Sequence, residues 1–299
     1  MSFDEAFKSV LIANEAKISL KTNHLLINQN DNIATIFLKD IAFIILESHQ
    51  ITITSALLSA CAKHKIIILT CDESHIVNGI FTPFLGHFQS AKLAKEQLSI
   101  KPQKQAILWQ KIIKNKITNQ AEVLKLYSLN KESSELFSLA KIVTLNDSKN
   151  TEATAAALYF KALFGKRFSR NDLSFENSAL NYGYAVLRAC VIRAVCVSGL
   201  VPWSGIKHSN IYNEFNLCDD LIEVFRPFVD ICVLDLCKKK RDDIILTKED
   251  KKILIENLQY EIKVGNQKFA LIRGVNRFVQ SFRSAFLGDD ELVSVCFVG

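Results

Sequence analysis

The chain has 299 residues, of which 49% are hydrophobic and 23% are charged, and its formal net charge is +6. This length accommodates two domains, and the apolar content permits a sizeable core. No apolar run approaches the roughly 18 residues of a membrane span. The N-terminal residues carry Asp4 and Glu5 and no long apolar segment, which argues against a signal peptide. We therefore expect a cytoplasmic protein without a membrane anchor.

The eight cysteines predict neither a zinc site nor a disulfide framework. None forms a CxxC pair, and most have apolar neighbours; they are Cys61, Cys71, Cys190, Cys196, Cys218, Cys232, Cys237 and Cys296. Cysteines in such surroundings behave as small hydrophobic residues in a reducing compartment. We expect them to be reduced and buried.

The positive charge is concentrated in two segments. Residues 92–116 contain seven lysines and a single acid, Glu96, and residues 262–288 contain five basic residues and no acid. One such segment alone is typical of a solvated helix face. Two of them, together with the metal-binding pattern described below, favour a polyanion such as nucleic acid as the partner.

The first 85 residues have the pattern of a small β domain. Short runs rich in branched residues predict strands at 10–12, 17–20, 24–28, 34–38, 41–46 and 66–70. Residues 55–64 interrupt them with a short helix that Thr54 is placed to cap. From about residue 86 a helical period takes over and predicts helices at 92–98, 105–115, 119–127, 134–143, 152–163, 179–198, 219–233, 248–258 and 271–287.

These elements predict an α+β fold with two domains. Residues 1–85 are expected to form a β-sandwich-like N-terminal domain with one short helix, and residues 86–299 a larger all-α domain.

The segment from His208 to Pro227 carries the clearest chemical pattern. Asp220 and Glu223 are three residues apart within a helical apolar stripe, so the two carboxylates share a helix face. His208 lies upstream, where Gly205 and Pro202 predict a loop. Imidazole and carboxylates together suit Mg²⁺, Mn²⁺ or Zn²⁺. The set has only two or three ligands, and a hard cation requires more oxygen.

Glu152 is the candidate for the additional carboxylate. It opens a helix that Asn150 or Thr151 can cap and that Gly165 ends. A glutamate in a first turn also complements the helix dipole, so its position alone has a structural explanation. The incomplete ligand set is what favours a functional interpretation.

The order and spacing of several segments resemble one known family. They are ITITSALL at 51–58, CDE at 71–73, NG at 78–79, EA at 152–153, LNYGYA at 180–185, His208, and DLIEVFRP at 220–227. The chain resembles the CRISPR-associated spacer-acquisition integrases, the larger of the two core adaptation proteins. WQKI at 109–112 and NQA at 119–121 are most similar to the branch that accompanies type II systems.

The resemblance implies a site and a reaction. Mg²⁺ or Mn²⁺ would be held by Glu152, His208 and Glu223, while Asp220 would be a further ligand, a supporting group or a DNA-facing charge. Arg226 would brace the helix or its carboxylates. Val224 departs from the proline or acid common in the family before Phe-Arg-Pro. The implied reaction is a transesterification in which a 3′-hydroxyl of spacer DNA attacks a phosphodiester at the CRISPR repeat, with hydrolysis when water attacks.

The resemblance also implies partners. These are double-stranded and branched DNA, a second copy of the chain bound through the N-terminal domain, and a dimer of the small partner adaptation protein, together forming a heterohexamer. Arg167, Arg170 and Lys207 lie near the site in the chain and are candidate DNA contacts.

Two alternatives stay open on the sequence. A general metal-dependent repair nuclease would hydrolyse DNA without joining spacer ends to a repeat. A non-catalytic DNA-binding scaffold would use the acids only to balance helix charges, and it would show no metal-dependent reaction.

Overall fold

The computed structural model describes residues 6–30, 32–73, 77–83, 87–238, 244–288 and 290–298. The N-terminal part of this described chain forms two four-stranded sheets and one helix. The elements are β1 (Lys8–Ile12), β2 (Ala16–Lys21), β3 (His24–Gln29), β4 (Asn32–Phe37), β5 (Ile41–Leu46), β6 (Ile51–Ile53), α1 (Ser55–Lys63), β7 (Ile67–Cys71) and β8 (Val77–Phe81).

One sheet lies between the other sheet and the helices. Its order is β1-β5-β7-β8, with β8 antiparallel to β7, and the second sheet has the order β4-β3-β2-β6. Ile44 of β5 packs with Ile18 and Leu25 of the second sheet, whereas Phe43 and Ile45 face the helical core. Because successive side chains of a strand point to opposite faces, a strand buried on both faces is continuously apolar, as β5 is.

The C-terminal part is mainly helical and contains a small third sheet. Its elements are α2 (Ser90–Leu98), α3 (Pro102–Leu126), α4 (Asn130–Ile142), α5 (Thr151–Phe164), α6 (Phe175–Val197), α7 (Asn216–Leu221), α8 (Arg226–Cys237), α9 (Lys248–Glu256), β9 (Glu261–Val264), β10 (Gln267–Ala270), α10 (Leu271–Leu287) and β11 (Val295–Phe297). The protein is thus α+β, with N-terminal sheets and a helical C-terminal region.

Helix α6 is the central element of the C-terminal part. It contacts α8, α9 and α10 and also packs on β5 and β7. By length and composition alone α6 could cross a membrane, contrary to the expectation from the sequence. However, 78% of its most apolar window is buried inside the protein, as in the core helix of a globular protein.

A buried ion pair joins the two parts. Lys251 of α9 contacts the carboxylate of Glu47, which follows β5, and both side chains are less than a tenth exposed. A second contact between the parts is made by Arg193 of α6, which donates from Nε to the carbonyl oxygen of Lys65, at 2.9 Å.

Several predictions from the sequence are confirmed. Thr54 caps α1 by accepting a hydrogen bond from the backbone nitrogen of Leu57. Four of the eight cysteines are buried and the other four are partly buried, so none is exposed. Helix α10 has the predicted bounds.

Other predictions are wrong in instructive ways. The helices predicted at 105–115 and 119–127 are one helix, α3. The helix predicted at 219–233 is broken into α7, a 3-10 turn (Ile222–Val224) and α8. The C-terminal part is not all-α, because β9, β10 and β11 form an antiparallel sheet. The boundary placed between residues 85 and 86 lies outside the described residues.

Candidate active site

Glu152 is presented by the first turn of α5, and a residue upstream organises that turn. Asp147 accepts hydrogen bonds from the backbone nitrogens of Thr151, at 2.9 Å, and Glu152, at 3.0 Å. Asn150 has a left-handed backbone and makes no capping bond. The predicted cap is therefore wrong, because Asp147 satisfies the open N–H groups of the first turn from a preceding 3-10 turn.

Glu223 lies in the 3-10 turn between α7 and α8 and is 8% exposed at its side chain. Its Oε1 accepts a hydrogen bond from Arg226 Nε at 2.9 Å. Its Oε2 is 2.5 Å from Lys116 Nζ. Burial disfavours the ionised carboxylate, but Arg226 and Lys116 outweigh it and lower the pKa of Glu223 to about 2. Glu223 is therefore an anion across the ordinary pH range.

Lys116 lies between the two glutamates. It projects from α3, its side chain is 10% exposed, and its Nζ donates to Glu152 Oε1 at 2.6 Å. Burial disfavours the ammonium, yet Glu223 and Glu152 raise the pKa of Lys116 above its usual value. Since both carboxylates contact one nitrogen atom, α3, α5 and the 3-10 turn converge on a single charged cluster.

Asp220 holds His208. The Asp220 side chain is fully buried, and its Oδ1 is 2.7 Å from His208 Nδ1. The same carboxylate accepts backbone hydrogen bonds from Ile206, Lys207 and His208. A carboxylate cannot donate a hydrogen bond, so Nδ1 carries a proton. In the neutral ring, the free lone pair is therefore on Nε2. Complete burial excludes the DNA-facing charge considered for Asp220.

The hydrogen bond to Asp220 also controls the charge of His208. It raises the pKa of the imidazole above its ordinary value, although burial opposes the shift. The ring is 47% exposed and lies edge-on to Trp109, with the ring centroids 5.9 Å apart. His208 is thus fixed on one side and open to solvent on the other.

A glycine makes the contact between the loop and Asp220 possible. A Cβ atom at Gly205 would lie 2.4 Å from the carbonyl oxygen of His208 and 2.7 Å from Asp220 Oδ2. These distances are too short for any side chain, so the close approach requires glycine.

An open cleft of about 400 Å³ exposes part of this cluster. Its lining includes His208 and Glu223 together with three arginines, Arg170, Arg188 and Arg226. Asp219 also lines the cleft and pairs with Arg188, and Glu223 pairs with Arg226, so three arginines face two carboxylates. Such a surface is suited to a phosphodiester backbone.

The three candidate DNA contacts have different surroundings. Arg170 lines the cleft, donates to Asn177 and Asn181, and lies over the rings of Phe160 and Tyr184. Lys207 Nζ contacts the carbonyl and side-chain oxygens of Asn146, at 3.1 and 3.2 Å. Arg167 is exposed.

The geometry places Glu152 and Glu223 together and puts Glu223 and His208 on one cleft. In the part of the chain that the structure describes, no three His, Cys, Asp or Glu side chains converge closely enough to form a metal-binding group by themselves. Between the two glutamates lies the Lys116 ammonium, which contacts one carboxylate oxygen of each. Asp220 and Glu223, expected to point to one place, contact different partners.

Three side chains at or near the candidate site were not predicted from the sequence. Lys116 was counted within a basic surface segment, and Asp147 stands outside the helix that it caps. Arg188 forms a two-point ion pair with Asp219 at the edge of the cleft, at 2.6 and 2.8 Å. The regular apolar neighbours Ile112, Ile113 and Ile117 were the available signal that Lys116 lies on the inner face of α3.

The model of the family described as CRISPR associated protein Cas1 matches residues 10–259, which include the whole cluster. The chain belongs to the Cas1 family. This confirms the family inferred from the segments at 180–185 and 220–227.

Individual relatives and solved structures are similar to this chain over most of its length. A CRISPR-associated endonuclease Cas1 from Neisseria meningitidis serogroup C is 42% identical over 278 residues, covering 93% of this chain and 91% of the relative. A casposase bound to integration product has a TM-score of 0.73 at 17% identity, with coverage of 96% and 92%. A Cas6-RT-Cas1–Cas2 complex has a TM-score of 0.73 at 20% identity, covering 96% of this chain and 36% of that one. At these identities the two structures show a shared fold.

Proposed function

We propose that this protein is the DNA endonuclease and integrase of CRISPR adaptation, which inserts spacer DNA into the repeat array. Membership of the Cas1 family supports the activity, and the relative from Neisseria is named as an endonuclease. The observation that carries the proposal is the pair of carboxylates Glu152 and Glu223, of which Glu223 shares an arginine-lined cleft with His208. The reaction is attack of a 3′-hydroxyl on a phosphodiester, without a covalent protein intermediate.

The donor chemistry of the cluster fits a divalent cation. Carboxylate oxygens and a neutral imidazole nitrogen suit Mg²⁺ or Mn²⁺, and the buried oxygen Glu223 Oε2 already contacts a cation, the ammonium of Lys116, at 2.5 Å. Glu152, His208 and Glu223 would hold the ion. When bound, it would supply Lewis-acid stabilisation of charge at the phosphodiester.

Other side chains of the protein would position the metal ligands and the DNA. Asp220 fixes the ring of His208 through Nδ1 and leaves Nε2 available as a ligand atom. Arg226 holds Glu223 and stacks on Tyr184, with its guanidinium carbon 4.6 Å from the ring centroid. Arg167, Arg170 and Lys207 are proposed to contact phosphates. Much of phosphoryl-transfer catalysis is positioning and electrostatics, so these contacts contribute to the rate.

The proposal includes an assembly. Residues 1–85 form a β-sandwich-like dimerisation domain and residues 86–299 the catalytic domain. Two dimers flank a dimer of the small adaptation protein, and the heterohexamer binds prespacer and repeat DNA in the cytoplasm. The solved Cas6-RT-Cas1–Cas2 complex supports such a partner, and the Neisseria relative, in keeping with segments 109–112 and 119–121, supports a type II system.

Strand transfer by the purified protein tests the function. The protein is incubated with its small partner, an end-labelled prespacer and a plasmid carrying the repeat, with Mg²⁺ or Mn²⁺ and with EDTA. We expect joined products with metal and none with EDTA. His208→Ala should reduce joining by about 100-fold or more while DNA binding persists, and His24→Ala, outside the cleft, should leave joining unchanged.

The alternatives give different results in the same assay. A repair nuclease would cleave the plasmid without joining the labelled ends, and a scaffold would show no metal-dependent reaction. Full activity of His208→Ala would contradict the proposed site.

A further inference from the structure

Lys116 is a buried cation in direct contact with both glutamates of the proposed site. Its Nζ lies 2.6 Å from Glu152 Oε1 and 2.5 Å from Glu223 Oε2, and its side chain is 10% exposed. It approaches from α3, an element that contributes no proposed ligand. One ammonium thus contacts both of the carboxylates that would hold a divalent cation.

The second cation at the cluster is anchored differently. Arg226 is three residues from Glu223, donates to the other carboxylate oxygen, and stacks on Tyr184. Its planar group is fixed by both contacts. Lys116 has a flexible four-carbon stem and a compact charge. Of the two, Lys116 is therefore the one whose charge can leave the carboxylates.

The charge balance of the four paired groups favours such a change. Lys116 and Arg226 together neutralise Glu152 and Glu223. A divalent ion added to this set would leave two excess positive charges in a largely buried cluster, which is costly where the dielectric constant is low. Withdrawal of the ammonium from the carboxylates reduces that excess.

We propose that Lys116 is an internal counterion that holds Glu152 and Glu223 together and competes with the divalent cation for them. This inference rests on the proposed function, since it assumes that the two glutamates are metal ligands. Lys116 is a positioning residue. It keeps the carboxylates from repelling each other, and it weakens the affinity for metal.

Metal affinity measured apart from catalysis tests the proposal. Mn²⁺ binding to the full chain is followed by electron paramagnetic resonance and calorimetry for the wild type, Lys116→Met, Lys116→Gln and Lys116→Arg. Removing the charge should tighten the Mn²⁺ dissociation constant by about tenfold, and Lys116→Arg should not. Metal-free Lys116→Met should have a lower Tm than the wild type and a larger rise in Tm when Mn²⁺ is added.

The protein offers a matched control. Lys251 and Glu47 form a second buried lysine–glutamate pair, remote in sequence from the site. The variant Glu47→Gln/Lys251→Met removes that pair and should keep the wild-type affinity for Mn²⁺. Tightening there as well would mean that removing any buried lysine–glutamate pair raises the affinity for Mn²⁺, and it would overturn the assignment to Lys116.

Other outcomes separate this inference from the proposed function. If the wild type binds Mn²⁺ through His208, and Lys116→Met and Lys116→Gln bind it equally or more weakly, the counterion proposal fails and the function stands. If His208→Ala does not weaken Mn²⁺ binding, the metal site itself is wrong and both fail. Lys116 variants that remain unfolded with and without Mn²⁺ would show a purely structural lysine and would also overturn the proposal.

Discussion

Two buried lysine–glutamate contacts in this protein have opposite characters. Lys251 and Glu47 join α9 to the N-terminal sheets, and their side chains are 7% and 3% exposed. Lys116 serves two carboxylates, and one of them, Glu223, lines an open cleft with His208. The first pair is enclosed by the protein, whereas the second borders an open cleft. A buried ion pair thus indicates function when one cation contacts two carboxylates and when one of those carboxylates lines a cleft.

The largest effect is expected at the closed pair. Lys251→Met removes the cation beside the buried Glu47 carboxylate, and breaking such a pair costs about 3–5 kcal/mol. We expect a correspondingly lower denaturation midpoint, with strand-transfer activity per folded molecule retained. Adding Glu47→Gln should recover most of the stability, and an unchanged midpoint in the single variant would show that the pair does not hold the two parts together.

Asp230 is a buried carboxylate that accepts hydrogen bonds from hydroxyl groups instead of pairing with a lysine. It accepts hydrogen bonds from Tyr159, at 2.8 Å, and from Tyr184. Burial raises the pKa of Asp230 to about 6, against an ordinary 3.8, although the tyrosine hydrogen bonds oppose the shift. The folded chain therefore binds more protons than the unfolded chain between about pH 4 and pH 6, and stability falls as pH rises through that range.

The expected size of this effect is about 3 kcal/mol, from a shift of about two pKa units. Asp230→Asn should lack it, so the Tm of the wild type relative to the variant should decrease from pH 4 to pH 7. A difference in Tm that stays constant with pH would show that Asp230 remains ionised in the fold.

A substitution of Asp220, which holds His208, tests the cluster that borders the cleft. Asp220→Asn keeps the size of the side chain and removes the charge that orients and polarises His208. We expect Mn²⁺ affinity and strand transfer to fall by about 10- to 100-fold, as for residues that support a metal ligand. Asp219→Asn, one residue away and paired with Arg188, is the control that should have the smaller effect on Mn²⁺ affinity.

The smallest effect is expected at the start of α5. Asp147→Ala removes a cap from two backbone nitrogens and should cost about 1 kcal/mol of stability. Because Glu152 is on that turn, strand transfer should decrease by more than the loss of folded protein accounts for. Equal decreases in activity and folded fraction would restrict Asp147 to a structural role.

The sequence predicts most elements because their apolar periods are unambiguous. It fails at residues 222–224, where Leu221, Val224 and Phe225 continue a helical stripe across the 3-10 turn. The counter-signal was Pro227, which stands in the first turn of α8 and favours a helix start at that point. The sheet of β9, β10 and β11 was missed because its strands have three or four residues, although Gly265 and Asn266 form a hairpin turn signal.

The site was predictable only in part. Spacing within 208–227 and the family resemblance suggest His208, Glu152 and Glu223 as candidates, since these residues stand in recognisable local settings. The apolar spacing of Ile112, Ile113 and Ile117 indicates that Lys116 lies on the inner face of α3, but its partners could not be assigned from the sequence. Only the packing of α3 against α5 and the 3-10 turn brings it to Glu152 and Glu223, and that packing is a long-range property.

Gly205 carries a consequence for mutational tolerance. Every substitution there would push a carbon atom into the His208 carbonyl and the Asp220 carboxylate. In a saturation library selected for spacer acquisition, position 205 would tolerate as little variation as a metal ligand, although it presents only a hydrogen atom. A scan of that kind would mark it as essential, and the reason would be the space it leaves for its neighbours.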